Sequence, residues 1–265
     1  MTSAELERPA MEPAPRPSTA RPWLARLCLS VSLLTAQAAL AAPSPSPIDL
    51  YILDAPPLTF VDDSNGHGIV GDIAVQAIAR TGHTAHIEAL PWARAQRHVS
   101  DKQDLLIAPL TRTPEREDRF TWIAPIMSMD RAFFSLDKPV TSFDQARKTY
   151  RVIGVGLGSA QEEILRTQGF DKDQIYPLTI GDNPAQMLLM GRIDAWFNGV
   201  PESRYIWPKL SDRKLYMSPV MSSAQVYLAC SKQCSADLVK RLRNAVEALR
   251  RDGTLERLRV RYMPE

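Results

Sequence analysis

Arg112, Arg116 and Arg119 stand close to the hydroxyls of Thr111 and Thr113, directly after the apolar run Leu105-Leu106-Ile107-Ala108 and Pro109. Guanidinium groups beside hydroxyls suit anion chemistry, because the planar fork of arginine matches a carboxylate with two parallel hydrogen bonds. Residues 105–108 have the length and type of a buried strand, and Pro109, which has no N–H to give, is expected to end its ladder. In an open α/β sheet small ligands sit outside the carboxyl ends of strands. Arg116 therefore stands where a small anion could dock. The local alternative is a solvated turn in which Arg116 pairs with Glu115, Glu117 or Asp118.

A second anion-seeking stretch follows the β-branched run Tyr150–Val155. It reads Gly156-Leu157-Gly158-Ser159-Ala160-Gln161-Glu162. Ser159 and Glu162 have the S-x-x-E spacing of a capping box, which marks a helix start. Glycines there let backbone N–H groups face a ligand, and the helix N-terminus favours an anion. The stretch is neither a dinucleotide fingerprint with its distal acid nor a phosphate loop, which needs a lysine. Asp54, in the turn Asp54-Ala55-Pro56-Pro57, is a candidate polar contact or a turn-forming aspartate. His83, His86 and His98 lack ligand-like pairing and read as structural or exposed. The turn Asp62-Asp63-Ser64-Asn65-Gly66 lacks the distal glutamate of a calcium loop. No metal or other cofactor is expected.

These groups need elements to hold them. Ile48–Leu53 alternates as a first strand, and a helix is expected to open at Gly71-Asp72 and stop at Gly82. His86–Leu90 reads as a strand that runs into Pro91-Trp92-Ala93-Arg94 and a helix over Trp92–Val99. Trp122–Met127 and Arg131–Leu136 read as two strands, and Phe143–Arg147 as a short helix. Asn183-Pro184 opens a helix with proline at its first position, and Gly191 closes it. Val226–Cys230 reads as a strand. Ser235 is the expected cap of a long helix with Leu238, Leu242, Val246 and Leu249 on one face. A short terminal helix is expected from Gly253-Thr254 to Tyr262.

Residues 1–41 are expected to be a secretory signal peptide. Arg16, Arg21 and Arg26 flank the apolar run Leu27–Ala41, which ends in the small-residue signal Ala39-Leu40-Ala41. Met1 and Met11 are both possible starts. The run is shorter than the roughly 20 residues of a membrane span, and Cys28 lacks the context of a lipid anchor. Residues 42–47 read as a proline-rich flexible tether. The whole chain carries 32 basic and 30 acidic side chains, a formal net charge of +2. A nucleic-acid footprint needs a basic stripe, so nucleic acid is not an expected partner. In an exported chain Cys230 and Cys234 are expected to form a disulfide that pins a strand end to the last long helix. Zinc is not expected there, because no second Cys/His pair accompanies them.

Thr113-Pro114-Glu115-Arg116 followed by Glu117 and Phe120 resembles the T-x-x-R motif of the extracytoplasmic solute-binding proteins, family 3, the polar amino-acid type that serves ABC importers. Gly191-Arg192-Ile193-Asp194-Ala195, the Gly158–Glu162 turn and the late run Arg251–Leu258 resemble the same family, and the resemblance covers nearly all of residues 48–264. It implies an α/β, two-lobed periplasmic binding protein-like fold of type II, with lobes joined by two crossing strands near Ala132–Leu136 and Ser223–Tyr227. Lobe 1 would comprise residues 48–133 plus 226–265, and lobe 2 residues 134–225.

The resemblance implies that Arg116 binds a ligand carboxylate, with Ser159 and the N–H groups from Ala160 onward closing on it from lobe 2. Trp92 would stack on the ligand, while Thr111, Asn198 and Asp54 would add hydrogen bonds. In relatives an aspartate five positions beyond the motif's Asp holds the ligand's amino group, and here that position is Gly199. An unpaired ammonium in a closed cleft is costly. Pro109 is a second departure, because relatives often have a hydroxyl there. The expected function is periplasmic capture of a small carboxylate-bearing solute, an amino acid or related compound, by a monomer that delivers it to an inner-membrane ABC permease. The rivals are an exported enzyme on the same scaffold, similar to cyclohexadienyl dehydratase and using an acid such as Glu162, Glu163 or Glu202, and a receptor for a sensor kinase.

Overall fold

A computed structural model describes residues 46–62, 64–181 and 183–263. The expected signal peptide and most of the tether lie outside the described residues. The chain runs β1 (Pro47–Ile52), α1 (Gly68–Arg80), β2 (Thr84–Ala89), α2 (Trp92–Asp101) and β3 (Leu106–Thr111). A 3-10 turn over Pro114–Arg119 leads into the long β4 (Phe120–Ser135), then α3 (Phe143–Thr149), β5 (Ile153–Gly156) and α4 (Ala160–Thr167). There follow β6 (Ile175–Leu178), α5 (Asn183–Leu189), β7 (Ala195–Gly199), α6 (Val200–Leu210) and β8 (Tyr216–Met217). The chain returns through β9 (Ser222–Ser231) and ends in α7 (Ala236–Arg251) and α8 (Thr254–Tyr262).

The strands form one mixed sheet in the order β2-β1-β3-β9-β4-β7-β5-β6, with β8 on β4. The parallel set β2-β1-β3 and the parallel set β7-β5-β6 lie at opposite ends. Between them the antiparallel pair β4 and β9 is shared by both halves. Four apolar clusters fill the two halves. Leu50, Ile73, Leu106, Leu228 and Leu242 belong to one, and Tyr51, Trp92, Ala95 and Leu110 to its neighbour on the other face. Phe133, Ile153, Leu165 and Phe197 form the third, and Phe134, Trp196, Ile206 and Trp207 the fourth. Each fully buried side chain of this size contributes about 1.5–3 kcal/mol. In α7 the apolar stripe Leu238, Leu242, Val246 and Leu249 is buried, as its spacing requires.

Four expectations need correction. Residues 120–135 form one strand rather than two, because β9 pairs along it from Phe120↔Ser231 to Arg131↔Ser222 and carries the polar Ser128 and Asp130 with it. Pro109 does not end β3. The register with β9 shifts between Ile107 and Leu110, so the residue without a donor sits in a bulge and the strand continues to Thr111. The first helix opens at Gly68 rather than Gly71. Ser235 stands at the N-cap of α7, but its side chain makes no capping bond. Its N–H instead donates to Asp104 Oδ1 at 2.6 Å. Cys230 and Cys234 are joined in a disulfide with Cα atoms 6.1 Å apart, tying the end of β9 to the start of α7.

Candidate functional site

A cavity of about 60 Å³ lies where the carboxyl ends of the two strand sets meet. One wall carries Trp92, Thr111, Arg116 and Arg131, and the facing wall carries Ser159, Ala160, Asn198 and Glu202. Six of the seven expected ligand contacts therefore converge here. Asp54 does not: it is exposed and stands outside the cavity at its rim, near Phe60, Tyr205 and Lys209.

Arg116 lies within the 3-10 turn after β3 and is 2% exposed. Its Nη1 donates to the Thr111 carbonyl and its Nη2 to the Gly158 carbonyl, each at 3.2 Å. Its Nη2 also lies 2.7 Å from Glu163 Oε1, which comes from α4 across the cavity. Burial lowers the pKa of Arg116, and the Glu163 carboxylate opposes that shift. The alternative of local pairing is not what forms. Glu117 is paired with Arg112, and Glu115 reaches across to Arg166 at 3.1 Å. The Nε of Arg116 has no hydrogen-bond partner.

Arg131 was not foreseen as a site residue. It lies in β4 and is 2% exposed. Its Nη2 donates to Thr111 Oγ1 at 2.7 Å and its Nη1 to the Met129 carbonyl at 3.1 Å, while its Nε has no partner. Burial pulls its pKa down to about 10, opposed by the nearby Glu202, so it remains charged at neutral pH. Thr111 thus supports both arginines, one through its carbonyl and one through its hydroxyl. The signal in the sequence was a cation, preceded by Asp130, at the head of the apolar run Ala132-Phe133-Phe134, where a buried charge is expensive.

The facing wall is built on the β5–α4 turn. Ser159 Oγ accepts from Glu162 N at 3.4 Å, as a capping serine does. Glu162 Oε2 accepts from Gly158 N at 2.9 Å, one residue before the position a capping box uses. Gly158 has φ +70°, and a Cβ there would stand 2.9 Å from that of Ala93 in α2. Its carbonyl also accepts from Gln96 Nε2 at 2.8 Å. Only glycine meets both demands, the left-handed backbone and the close approach of α2. Asn198 accepts from Gln161 Nε2 at 3.0 Å and donates to Ser203 Oγ at 3.2 Å, so its amide is held by its own wall. Asp194 of the G-R-I-D-A stretch does not reach the cavity. Its Oδ2 accepts from Arg151 N at 2.7 Å and Val152 N at 3.0 Å, which anchors the connection between α5 and β7 to the residues just before β5.

Glu202, in the first turn of α6, completes the charged lining. Burial pushes its carboxyl up to about 7, against the pull of Arg131 and a backbone hydrogen bond with Gly199. Among the described residues, Asp104 with Cys230 and Cys234 is a cluster of metal-ligand type, but both sulfurs are committed to the disulfide.

Two α/β lobes sharing two crossing strands, with a buried cationic cavity between them, define a solute-binding protein of the type II periplasmic fold. The chain belongs to the bacterial extracellular solute-binding proteins, family 3, which it matches over residues 51–265. It is 27% identical over 214 residues to the L-cystine-binding protein TcyJ of Escherichia coli (strain K12), covering 78% of each chain. Among solved structures it superposes on a mutant of the arginine-binding protein ArgBP from T. maritima with a TM-score of 0.72 at 19% identity, covering 83% of this chain and 96% of that one. It also superposes on the ancestral amino acid-binding protein AncCDT-1, a precursor of cyclohexadienyl dehydratase, with a TM-score of 0.69 at 20% identity, covering 82% and 95%. The family expected from the T-x-x-R, Gly158–Glu162 and G-R-I-D-A stretches is thus the family found.

Proposed function

We propose that the protein captures a small carboxylate-bearing solute, an amino acid or a related compound, in the periplasm and presents it to an inner-membrane ABC permease. The observation that carries this reading is Arg116, a guanidinium held almost wholly out of water at the wall of the cavity between the lobes. A cation in that position favours an anion that enters with it, and the second buried guanidinium, Arg131, adds to the preference. Ligand entry and release are by hinge motion of lobe 1 (residues 48–133 plus 226–265) against lobe 2 (134–225) about β4 and β9. The protein acts as a monomer. Family membership and the TcyJ relative support transport as the role. A thermal-shift series over small carboxylates tests this: a ligand at about 1,000 times its Kd adds roughly 4 kcal/mol of stability. A neutral isostere should give no shift.

A second reading is favoured by one observation. Glu202 is a buried acid poised at about 7, the value a proton-transfer catalyst needs near neutral pH. An enzyme on this scaffold would turn over prephenate or arogenate in the cavity, whereas a binding protein leaves them unchanged. Incubation followed by product analysis separates the two.

A further inference from the structure

Glu202 doubles back over Gly199. A Cβ on Gly199 would lie 2.0 Å from Glu202 Oε2 and 2.7 Å from Met129 Sδ. The backbone of Gly199 is ordinary, with φ −63° and ψ 134°. The space a side chain would take at this position is filled by the ends of two flexible side chains, the Glu202 carboxylate and the Met129 thioether, which would have to shift to admit a Cβ; the backbone conformation itself does not call for glycine. Glu202 is the third residue of α6, the place from which a glutamate reaches back to the N-cap N–H, and a backbone hydrogen bond with Gly199 is present. The Oε2 of Glu202 is buried beside Gly199 and Met129 with no hydrogen-bond partner, and Glu202 lines the cavity. The place of Glu202 in the first helical turn leaves that oxygen unexplained.

We propose that Glu202 receives the cationic amino group of the ligand, so that the cavity takes a small zwitterion with its carboxylate toward Arg116 and Arg131 and its ammonium toward Glu202. The chain would then offer from position 202 the carboxylate that Gly199 lacks. This rests on the reading of the cavity as a carboxylate site. The charged groups that bear on it are Arg116 and Arg131 from lobe 1 and Glu202 from lobe 2, with Glu163 behind Arg116. The cavity volume of about 60 Å³ corresponds to roughly four to six water-sized positions, the scale of glycine, alanine or serine.

Charge linkage gives the proposal its own signature. Glu202 is half-protonated at about 7. An ammonium needs it ionised, so affinity for an amino acid rises as pH increases through neutrality. A ligand without the amine is repelled by the ionised form, so its affinity falls over the same range.

The test is isothermal titration of the purified protein and of Glu202→Gln with three matched pairs: glycine and glycolate, L-alanine and L-lactate, L-serine and L-glycerate. Titrations are run at about pH 6 and about pH 8, on either side of the Glu202 transition. Wild type should bind the amino acids more tightly at the higher pH. At about pH 8 Glu202→Gln should lose roughly 30-fold or more of amino-acid affinity, while affinity for the hydroxy acids should be no weaker than that of wild type and should no longer fall as pH rises. The substitution is isosteric, and a thermal unfolding temperature no lower than wild type above neutral pH shows that it folds. Gly199→Ala, which displaces the carboxylate without removing it, should weaken the amino acids selectively as well. If Glu202→Gln weakens both members of each pair alike, or neither, the role of Glu202 is overturned and the carboxylate site stands. If no carboxylate binds wild type, both fall.

Discussion

Arg116 Nη2 and Glu163 Oε1 lie 2.7 Å apart, and the two side chains come from opposite lobes. Both are largely buried, at 3% and 15% side-chain exposure, so the pair is weakly screened and removing either partner leaves an uncompensated charge. The second bridge between the same two segments, Arg166 to Glu115, has both side chains more than half exposed and should contribute at most about 1 kcal/mol. The buried pair is therefore what ties the 3-10 turn of lobe 1 to α4 of lobe 2. Glu163→Gln should let water reach Arg116 by opening the lobes. Small-angle scattering of the ligand-free variant should then give a larger radius of gyration than wild type. An unchanged radius would mean that the pair does not hold the lobes together.

Stability should respond to Glu202 with a definite sign. The folded carboxyl sits at about 7 against an ordinary 4.5. Between those values the folded state keeps a proton that the unfolded chain has released. Stability is therefore fully present below about 4.5 and falls as pH rises through about 7. His86, raised chiefly by its hydrogen bond with Asp49, contributes in the same direction. The difference between wild type and Glu202→Gln isolates the glutamate. Urea unfolding across this range should show wild type losing stability relative to the variant as pH rises. Parallel curves would place Glu202 in contact with water.

Gly158→Ala combines two penalties. The residue is left-handed at φ +70°, which costs alanine about 1 kcal/mol. The new methyl would also stand 2.9 Å from the Ala93 Cβ, on the seam where α2 meets the β5–α4 turn. Denaturant unfolding should show a loss of about 1 kcal/mol or more, and ligand affinity should fall further than stability alone explains, because closure is obstructed. Affinity equal to wild type would mean that this seam can yield without cost.

The sequence carries the lobes and most of the cavity lining because those parts are specified locally. The apolar runs at Leu106–Ala108 and Ile153–Val155, the caps around Ser159 and the amphipathic spacing of α7 each declare themselves within a few residues. Arg116 could be placed in the same way, since a strand end followed by T-x-x-R puts its side chain near the ligand mouth. Its partner could not, because Glu163 is 47 positions away and the competing acids Glu115 and Glu117 are adjacent. Arg131 and Glu202 were not placed in the ligand set, although both line the cavity, for a related reason. Arg131 reads as the first residue of the strand Arg131–Leu136, and Glu202 reads as an acid available only to the enzyme rival. Only the pairing of β4 with β9, and the fold of α6 back over Gly199, brings both to one cavity. Continuity of β4 through Ser128 and Asp130 was hidden for the same reason, since its pairing partner is about a hundred residues downstream.

The most direct test of the central claim is ligand-induced stabilisation of wild type and Arg116→Ala, measured by thermal unfolding with a saturating series of small carboxylates and their neutral amides. Wild type should be stabilised by at least one carboxylate, by roughly 4 kcal/mol at about 1,000 times its Kd, and not by the matching amide. Arg116→Ala should remain folded and lose that stabilisation. Equal stabilisation of wild type and Arg116→Ala, or of wild type by acid and amide alike, would contradict the account.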